Sequence, residues 1–322
     1  MWGTELRFDH LPLSPISVRF LFLHFALFRF HFDFSLQMTN PAPSLLDILN
    51  KTADYFKSKG IESHRLDAQL LLGHVLGMKR MDLYMNFDRP LEETELVRYR
   101  ELVRRRGNRE PLQHLVGETP FREIILKTDR RALIPRQETE LIVDLARKAL
   151  VPGRENVVLD VGVGAGPIYL SILKELPGCR VYGVDASADA LALTRENAAR
   201  NGLTAENLFQ SDLFAALPAD LRFDLIIANP PYIGEREIPS LQVEVRDHDP
   251  RLALIGGPEG WEFPVLLMDQ AFARLYEKGI CILEIGAGQF PLLKEKSLSR
   301  PWQNCVPALD YQGVERFLIL HK

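Results

Sequence analysis

The chain has 322 residues, a length at which two domains are the natural expectation. Its hydrophobic content of 46% and charged content of 25% are ordinary for a globular protein, and its net charge of −4 argues against a protein that coats nucleic acid. Three scattered cysteines fit neither a disulfide framework nor a zinc site, and no apolar run reaches the roughly 18 residues of a membrane span. We therefore expect a cytoplasmic, monomeric protein without a metal site and without stable nucleic-acid binding.

Residues 1–37 form an extension that is crowded with phenylalanine. Charged residues such as Arg19 and Asp33 interrupt its apolar run, and no small-residue cleavage site of the kind that ends a signal peptide follows. Met38 precedes a clean helical pattern. We expect the extension to lie outside the fold, as a mis-assigned start or a loosely ordered tail, with a targeting role as the alternative.

Residues 38–110 have the pattern of a small helical bundle. Apolar residues recur at helical spacing over 44–60, 63–76, 81–85 and 91–106, with short loops between them. Ser44 followed by Asp47 is typical of a capping box. A cluster of arginines near the last helix indicates a solvated face or, alternatively, a docking patch for an acidic partner or nearby RNA. Its members are Arg98, Arg100, Arg104, Arg105, Arg106 and Arg109.

Residues 111–135 change to strand-like spacing and predict a β-hairpin linker. Over 136–322, helices (140–150, 168–176, 188–201, 263–278) alternate with strands. The predicted strands span 156–161, 180–184, 208–210, 223–228, 280–284 and 317–320. This alternation predicts an α/β fold whose mostly parallel sheet is covered on both faces.

A glycine-rich loop follows the first strand of this region. Asp160 lies one residue before the end of the strand, and Gly162, Val163, Gly164, Ala165 and Gly166 form a turn that leads into a helix. The third glycine of a dinucleotide fingerprint would fall at Pro167, which argues against an NAD oxidoreductase. Glycine at every second position is typical of an S-adenosylmethionine loop, in which Asp160 would hold the cofactor's ammonium group directly or through water. A purely structural turn is the alternative.

Two later strand ends add candidate cofactor residues. Asp185 ends the second strand, where an acid can accept both ribose hydroxyls, although a helix cap is the simpler role. Asp212 and Leu213 follow the third strand, and they are candidates for binding the adenine amine and covering its ring. Arg136 with Glu140 either borders the pocket or forms a surface pair.

The sequence Asn229-Pro230-Pro231-Tyr232 directly follows a buried strand. The side-chain oxygen of Asn229 and the carbonyl of Pro230 can accept the two N–H groups of a planar NH₂ nitrogen. This arrangement would direct the nitrogen lone pair toward a methyl donor and stabilise the developing positive charge. Tyr232 offers a flat ring against a planar amide or base, and Pro231 stiffens the turn. These residues predict a catalytic and substrate-binding site for methyl transfer to nitrogen, and Asn229 is also a candidate cofactor-binding residue.

Together these motifs resemble the release factor glutamine methyltransferases, the PrmC/HemK family. The resemblance covers residues 38–322 and leaves out residues 1–37. Other matching stretches are residues 66–71, 104–106, 109–112, 133–140 and 283–286, with Gln289, Asp310, Gly313 and Arg316. The family usually has small polar residues at Val163 and Ala165, often an aromatic residue at Leu213, and Glu-Pro at Asp249-Pro250. These departures bear on cofactor affinity and leave the acceptor residues intact.

The resemblance implies a class I methyltransferase fold with S-adenosylmethionine as cofactor. It implies as substrate the glutamine in the Gly-Gly-Gln motif of class-1 peptide chain release factors, which the helical region would recognise. An adenine or cytosine amino-methyltransferase acting on DNA or RNA is the main alternative, since a flipped base also presents a planar amine. A further alternative is a binding module that has kept the cofactor fold but lost catalysis, and the presence of Asn229 and Tyr232 argues against it.

Overall fold

The computed structural model describes residues 43–322, so the expectation for residues 1–37 concerns a segment outside the described residues. The first part of the described chain is helical. Its helices are α1 (Leu45–Ser58), α2 (His64–Leu76), α3 (Arg80–Met85), α4 (Glu93–Gly107) and the short, unpredicted α5 (Leu112–Val116). Within residues 43–322, no helix is both long and apolar enough to cross a membrane.

The helical region has an apolar core of its own. Large side chains such as Phe56, Leu71 and Tyr99 are buried together in it. Its first helix begins with the predicted capping box, because the Ser44 hydroxyl accepts from the Asp47 backbone N–H at 3.2 Å and the Asp47 carboxylate accepts from the Ser44 backbone N–H at 3.3 Å. The helical bundle predicted from the apolar spacing is confirmed.

The arginine cluster at the end of α4 is largely paired within the chain. Arg104 pairs with Glu101 and Arg105 with Glu110. Arg106 is buried, and its guanidinium contacts the Asp67 carboxylate at 2.7 Å. The solvated-face interpretation is therefore wrong for Arg106.

The predicted hairpin is present as β1 (Glu118–Phe121) and β2 (Ile124–Lys127), which pair antiparallel. Phe121, Ile124 and Leu126 are buried in the same apolar core as the first helices of the α/β region. The hairpin is thus packed onto that region. The assignment of residues 111–135 as a separate linker between two domains stays a prediction.

The rest of the chain forms an α/β unit. Its helices are α6 (Glu140–Ala149), α7 (Pro167–Glu175), α8 (Ala188–Arg200), α9 (Val243–His248), α10 (Glu262–Arg274) and α11 (Phe290–Ser297). Its strands are β3 (Asn156–Val161), β4 (Cys179–Asp185), β5 (Leu208–Gln210), β6 (Phe223–Ala228), β7 (Ile233–Gly234), β8 (Ile255–Gly257), β9 (Leu275–Glu284), β10 (Asn304–Leu309) and β11 (Glu315–His321). Short 3-10 turns at Glu235–Ser240 and Arg251–Ala253 lie between β7 and β8.

Seven of these strands form one sheet in the order β10-β11-β9-β6-β3-β4-β5. Pairing is parallel from β9 through β5, whereas β11 is antiparallel to both β9 and β10. Neighbouring side chains of β3 enter different cores, since Val158 packs on the α6–α8 side and Leu159 on the α10–α11 side. The sheet is therefore covered on both faces, and the predicted class I methyltransferase fold is confirmed.

Several elements of the α/β region differ from the prediction or were not predicted, and the latter include helices α9 and α11. The helix expected over 263–278 ends at Arg274, and β9 begins at Leu275 instead of residue 280. The strand β10 was not predicted, because its residues are exposed or half-buried and carry no apolar alternation. Neither β7 nor β8 was predicted, since strands of two and three residues are too short to show a period.

Candidate active site

The carboxyl ends of β3, β4 and β6 lie together at one edge of the sheet. The chain runs from β3 outward to β4 and β5 and then crosses back to β6 on the other side of β3. This reversal of strand order makes the edge a switch point, where ligands bind in open α/β sheets. A cavity of about 630 Å³ opens there, within the range for small-molecule sites. The predicted residues that line it are Gly162, Val163, Gly164, Ala165, Asp185, Asp212, Leu213, Asn229, Pro230 and Pro231.

The glycine loop has the backbone geometry that a close ligand requires. Gly162, Gly164 and Gly166 have φ values of 80°, 57° and 88°, all in the left-handed region that favours glycine. A Cβ atom at Gly162 would meet nothing within 4 Å, and one at Gly164 would meet only Ala132 at 3.9 Å. The loop thus leaves open space where a ligand can approach the backbone.

The remaining loop residues serve the fold. Gly166 does not line the cavity, and a Cβ there would lie 2.9 Å from the Thr194 side chain. Val163 and Ala165 line the cavity and are buried, and each packs within an apolar cluster of the α/β region. The small polar residues usual in the family are therefore replaced here by core contacts.

Asp160 is buried beneath the loop and does not line the cavity. One of its oxygens, Oδ2, accepts from the backbone N–H of Tyr169 in the first turn of α7 at 3.0 Å, while Oδ1 has no partner. Burial raises the pKa of Asp160 to about 8, and the nearby Asp185 adds to the shift. Asp160 therefore supports the start of α7, and its contact with a cofactor stays a prediction.

Asp185 braces the loop from the end of β4. Its carboxylate accepts from the backbone N–H of Gly164 at 2.9 Å and from that of Ser187 at 2.8 Å. Burial raises the pKa of Asp185, and these two hydrogen bonds oppose the rise. Each carboxylate oxygen keeps a further lone pair for a ligand hydroxyl.

The loop after β5 forms another part of the cavity wall. Leu213 is buried with a φ of 47°, an uncommon left-handed conformation for a branched residue, whereas Asp212 is exposed. The strained turn puts an apolar side chain and an acid side by side at the cavity. This pairing suits a flat ring that carries an amine.

Asn229 follows β6 and is tied to two residues distant in sequence. Its Nδ2 donates to the Thr139 hydroxyl at 3.1 Å, and that hydroxyl donates to Oε2 of Glu284 at 2.7 Å. Burial raises the pKa of Glu284 to about 7, against the lowering effect of the Thr139 hydrogen bond. Sequence reasoning placed Thr139 and Glu284 only within stretches that match the family.

The Asn-Pro-Pro-Tyr turn is held by backbone contacts. Gln289 donates from Nε2 to the carbonyl of Tyr232 at 2.8 Å, and its Oε1 accepts from the backbone N–H of Gly286 at 2.9 Å. A Cβ at Gly256 would lie 2.5 Å from the Pro231 carbonyl, and one at Gly260 would lie 2.5 Å from the Tyr232 carbonyl. The turn therefore has little freedom to shift.

Tyr232 is half-buried and does not line the cavity. Burial raises its pKa, with a further contribution from Glu284. Tyr232 ends the Asn-Pro-Pro-Tyr turn, and its predicted role in substrate binding by stacking stays a prediction.

Two family models match the chain. The PrmC N-terminal domain matches residues 47–117, and the methyltransferase small domain matches residues 138–244. The chain is 40% identical over 269 residues to the release factor glutamine methyltransferase of Geobacter sulfurreducens, an alignment that covers 84% of this chain and 93% of that protein. The chain belongs to the release factor glutamine methyltransferase family. The protein of the same name from Rhodopirellula baltica is 38% identical over 295 residues, covering 89% of this chain and 99% of that protein.

Several residues of this family member line the cavity without having been predicted. They are Arg130, Arg131, Ala132, Leu133, Pro135, Thr139, Leu252, Ala253, Ile255 and Phe263, among others. Arg136 does border the cavity, as one of two expectations had it, while Glu140 instead accepts from the backbone N–H of Arg122 at 3.2 Å. Apart from the match of residues 133–140 to the family, the sequence carries no signal that separates these residues from ordinary loop residues.

Proposed function

We propose that this chain transfers the methyl group of S-adenosylmethionine to the side-chain amide nitrogen of the glutamine in the Gly-Gly-Gln motif of class-1 release factors. Membership of the family gives the reaction and the substrate class. The observation that carries the proposal is the position of Asn229 and Pro230 in the wall of the cavity that the glycine loop also lines. Acceptors for a planar amide thus lie beside a candidate cofactor site.

The residues present fit S-adenosylmethionine. The left-handed Gly162 and Gly164 leave room for its methionine end, and the carboxylate of Asp185 has lone pairs for the ribose hydroxyls. Asp212 and Leu213 would hold the adenine. Asp160 would act on the ammonium group through water, because its unpartnered oxygen is buried beneath the loop. When bound, the cofactor supplies a methyl group on a positively charged sulfur.

The chain's own residues would activate a weak nucleophile. An amide nitrogen has a delocalised lone pair, and fixing both of its hydrogens sets the direction in which that pair can attack. The oxygen of Asn229 and the carbonyl of Pro230 would accept those hydrogens and stabilise the positive charge that grows on nitrogen. Pro231 and the braced backbone of Tyr232 would keep the acceptors in place, and the excess proton would leave to water after transfer.

The same proposal assigns roles to the regions of the chain. Residues 38–110 would recognise the release factor, the hairpin of residues 111–135 would link them to residues 136–322, and the latter would bind cofactor and transfer the methyl group. The protein would act as a cytoplasmic monomer. Arg104, Arg105 and Arg106 each form an ion pair within the chain. The proposal therefore does not use them as a docking patch of free guanidinium groups.

The test is methyl transfer from labelled S-adenosylmethionine to a release factor. The matched substrate is the same factor with its Gly-Gly-Gln glutamine replaced by alanine, and label on the first alone supports the proposal. Asn229→Ala should lower transfer by about 10²–10³-fold, the scale for losing one group that stabilises transition-state charge, while cofactor affinity changes little. Asn304→Ala, at an exposed position on β10, should behave as wild type.

Two results would contradict this proposal. Transfer that survives in Asn229→Ala would remove the acceptor role from that residue. Label on DNA or RNA and none on the release factor would move the function to the base-methylating alternative.

A further inference from the structure

The side-chain amide of Asn229 has two ends that look alike in shape and differ in chemistry. The oxygen accepts a hydrogen bond, and the NH₂ group only donates. An acceptor for the hydrogens of a substrate amide must present its oxygen, because a rotation of 180° would set one NH₂ group against another. Something in the protein must therefore fix which end faces the cavity.

We propose that Thr139 and Glu284 are positioning residues that hold the Asn229 amide with its oxygen toward the substrate nitrogen. The inference rests on the proposed function of Asn229 and adds the residues that orient it. The three residues come from separate elements: Thr139 precedes α6, Asn229 follows β6, and Glu284 ends β9. Strands β6 and β9 pair in parallel with Ala228 opposite Leu283, which puts the two strand ends side by side.

The direction of the hydrogen bonds follows from a count of donors. A threonine hydroxyl has one hydrogen, and the Thr139 hydroxyl gives it to Glu284 Oε2 at 2.7 Å. An ionised carboxylate only accepts, so the hydroxyl has lone pairs alone to offer Asn229. Asn229 must then present its NH₂ group to Thr139, at 3.1 Å, and its oxygen faces away from Thr139.

Burial makes this direction costly to break. Thr139 and Glu284 are both buried, so water has little access to replace either hydrogen bond. An unpaired polar group at such a site loses free energy comparable to a whole hydrogen bond. The relay of Glu284, Thr139 and Asn229 therefore has one favourable arrangement while Glu284 is ionised.

Protonation of Glu284 would reverse the relay. A protonated carboxyl donates to the Thr139 hydroxyl, whose own hydrogen then points at Asn229 and favours the amide oxygen on that side. Burial raises the pKa of Glu284 to about 7, Arg136 and Arg316 act to lower it, and Glu138 acts to raise it. Tyr232 also faces this carboxyl. Transfer should thus rise with pH through about 7.

The experiment compares Thr139→Val with Thr139→Ser in the full chain. Valine keeps the shape and removes the hydroxyl, whereas serine keeps the hydroxyl. We expect Thr139→Val to lower kcat about tenfold, the scale of one hydrogen bond, with cofactor Kd within about twofold, and Thr139→Ser to restore most of it. The rise of kcat with pH near 7 should be present in wild type and Thr139→Ser and absent in Thr139→Val. A merely structural role would lower kcat by one factor at every pH.

A second variant covers the case in which Thr139→Val does not fold. Glu284→Gln has no proton to gain near pH 7, and it should abolish the rise of kcat there. Persistence of the rise in Glu284→Gln, or a Thr139→Val enzyme with the wild-type pH profile, overturns the inference.

A measurement without turnover separates this inference from the proposed function. The Glu284 carboxyl can be titrated by ¹³C NMR in wild type and Thr139→Val. Loss of the hydrogen bond from Thr139 should move its titration to higher pH, because that bond stabilises the charged form. An unchanged titration overturns the inference. A wild-type protein that labels no release factor, with the titration shifted as expected, overturns the proposed function alone.

Discussion

Replacing Arg106 by methionine should destabilise the protein far more than the same change at Arg104, two residues earlier on α4. The Arg106 side chain is 6% exposed and that of its partner Asp67 is 3% exposed. Its Nε donates to Asp67 at 2.7 Å and its Nη1 to Glu244 of α9 at 2.8 Å. The Arg104 side chain is 64% exposed and pairs with Glu101 on its own helix.

The size of the loss in stability depends on which charged groups stay unpaired after each substitution. Without Arg106, the buried Asp67 carboxylate keeps only the hydroxyl of Ser63 at 2.7 Å, while Glu244 keeps Arg109. Removing one partner of a buried ion pair costs about 3–5 kcal/mol, because a charge stays buried without compensation. At about 2–4 °C per kcal/mol, the scale for 150–250 residues, the unfolding midpoint should fall by about 6 °C or more. Arg104→Met should leave it nearly unchanged.

The assay is thermal unfolding of the full chain followed by far-UV circular dichroism. The double variant Asp67→Leu with Arg106→Met removes the stranded charge and should be more stable than Arg106→Met alone. Equal shifts for Arg106→Met and Arg104→Met would refute the reasoning, since burial would then make no difference to the ion pair.

Two further predictions concern acids near the glycine loop. Asp185→Ala should raise the Kd for S-adenosylmethionine, measured by calorimetry, by at least about tenfold. It removes a charged acceptor and the hydrogen bond that holds the backbone of Gly164. Asp220→Ala, at an exposed position, should leave this Kd unchanged. Burial raises the pKa of Asp160 from 3.8 to about 8, so an unfolded chain is ionised between these values while the folded protein holds a proton. This group therefore lowers stability as pH rises from about 4 to about 8, and Asp160→Asn should flatten that part of the midpoint-against-pH curve of the cofactor-free protein. An unchanged slope would contradict the second prediction.

Much of the α/β unit could be predicted because its strands are buried on both faces. The bounds of β3, β5 and β6 agree with the prediction at both ends. Apolar runs without alternation mark such strands, and glycine, proline or polar residues end them. The parallel order then brings their carboxyl ends together, so the residues after each strand could be assigned to one site.

The features that could not be predicted from the sequence depend on contacts between residues distant in the chain. Three consecutive arginines look alike, and only the fold shows that Arg106 meets Asp67 and Glu244, 39 and 138 residues away. Thr139 likewise meets Glu284 across 145 residues. Asp160 was predicted to bind the cofactor because it is an acid near a strand end. In the structure its carboxylate accepts from the backbone N–H of Tyr169 in the first turn of α7, and it does not line the cavity.

The reversed strand β11 has a consequence for how the protein is made. It lies between β9 and β10 although it follows both in the chain, so the sheet stays divided until residues 315–321 have been synthesised. Until then β9 has an open edge of unpaired N–H and C=O groups, the kind of edge that recruits other chains. A nascent or truncated chain that stops before Glu315 would therefore be prone to aggregate, and its Glu284 would lack the strand neighbour Phe317.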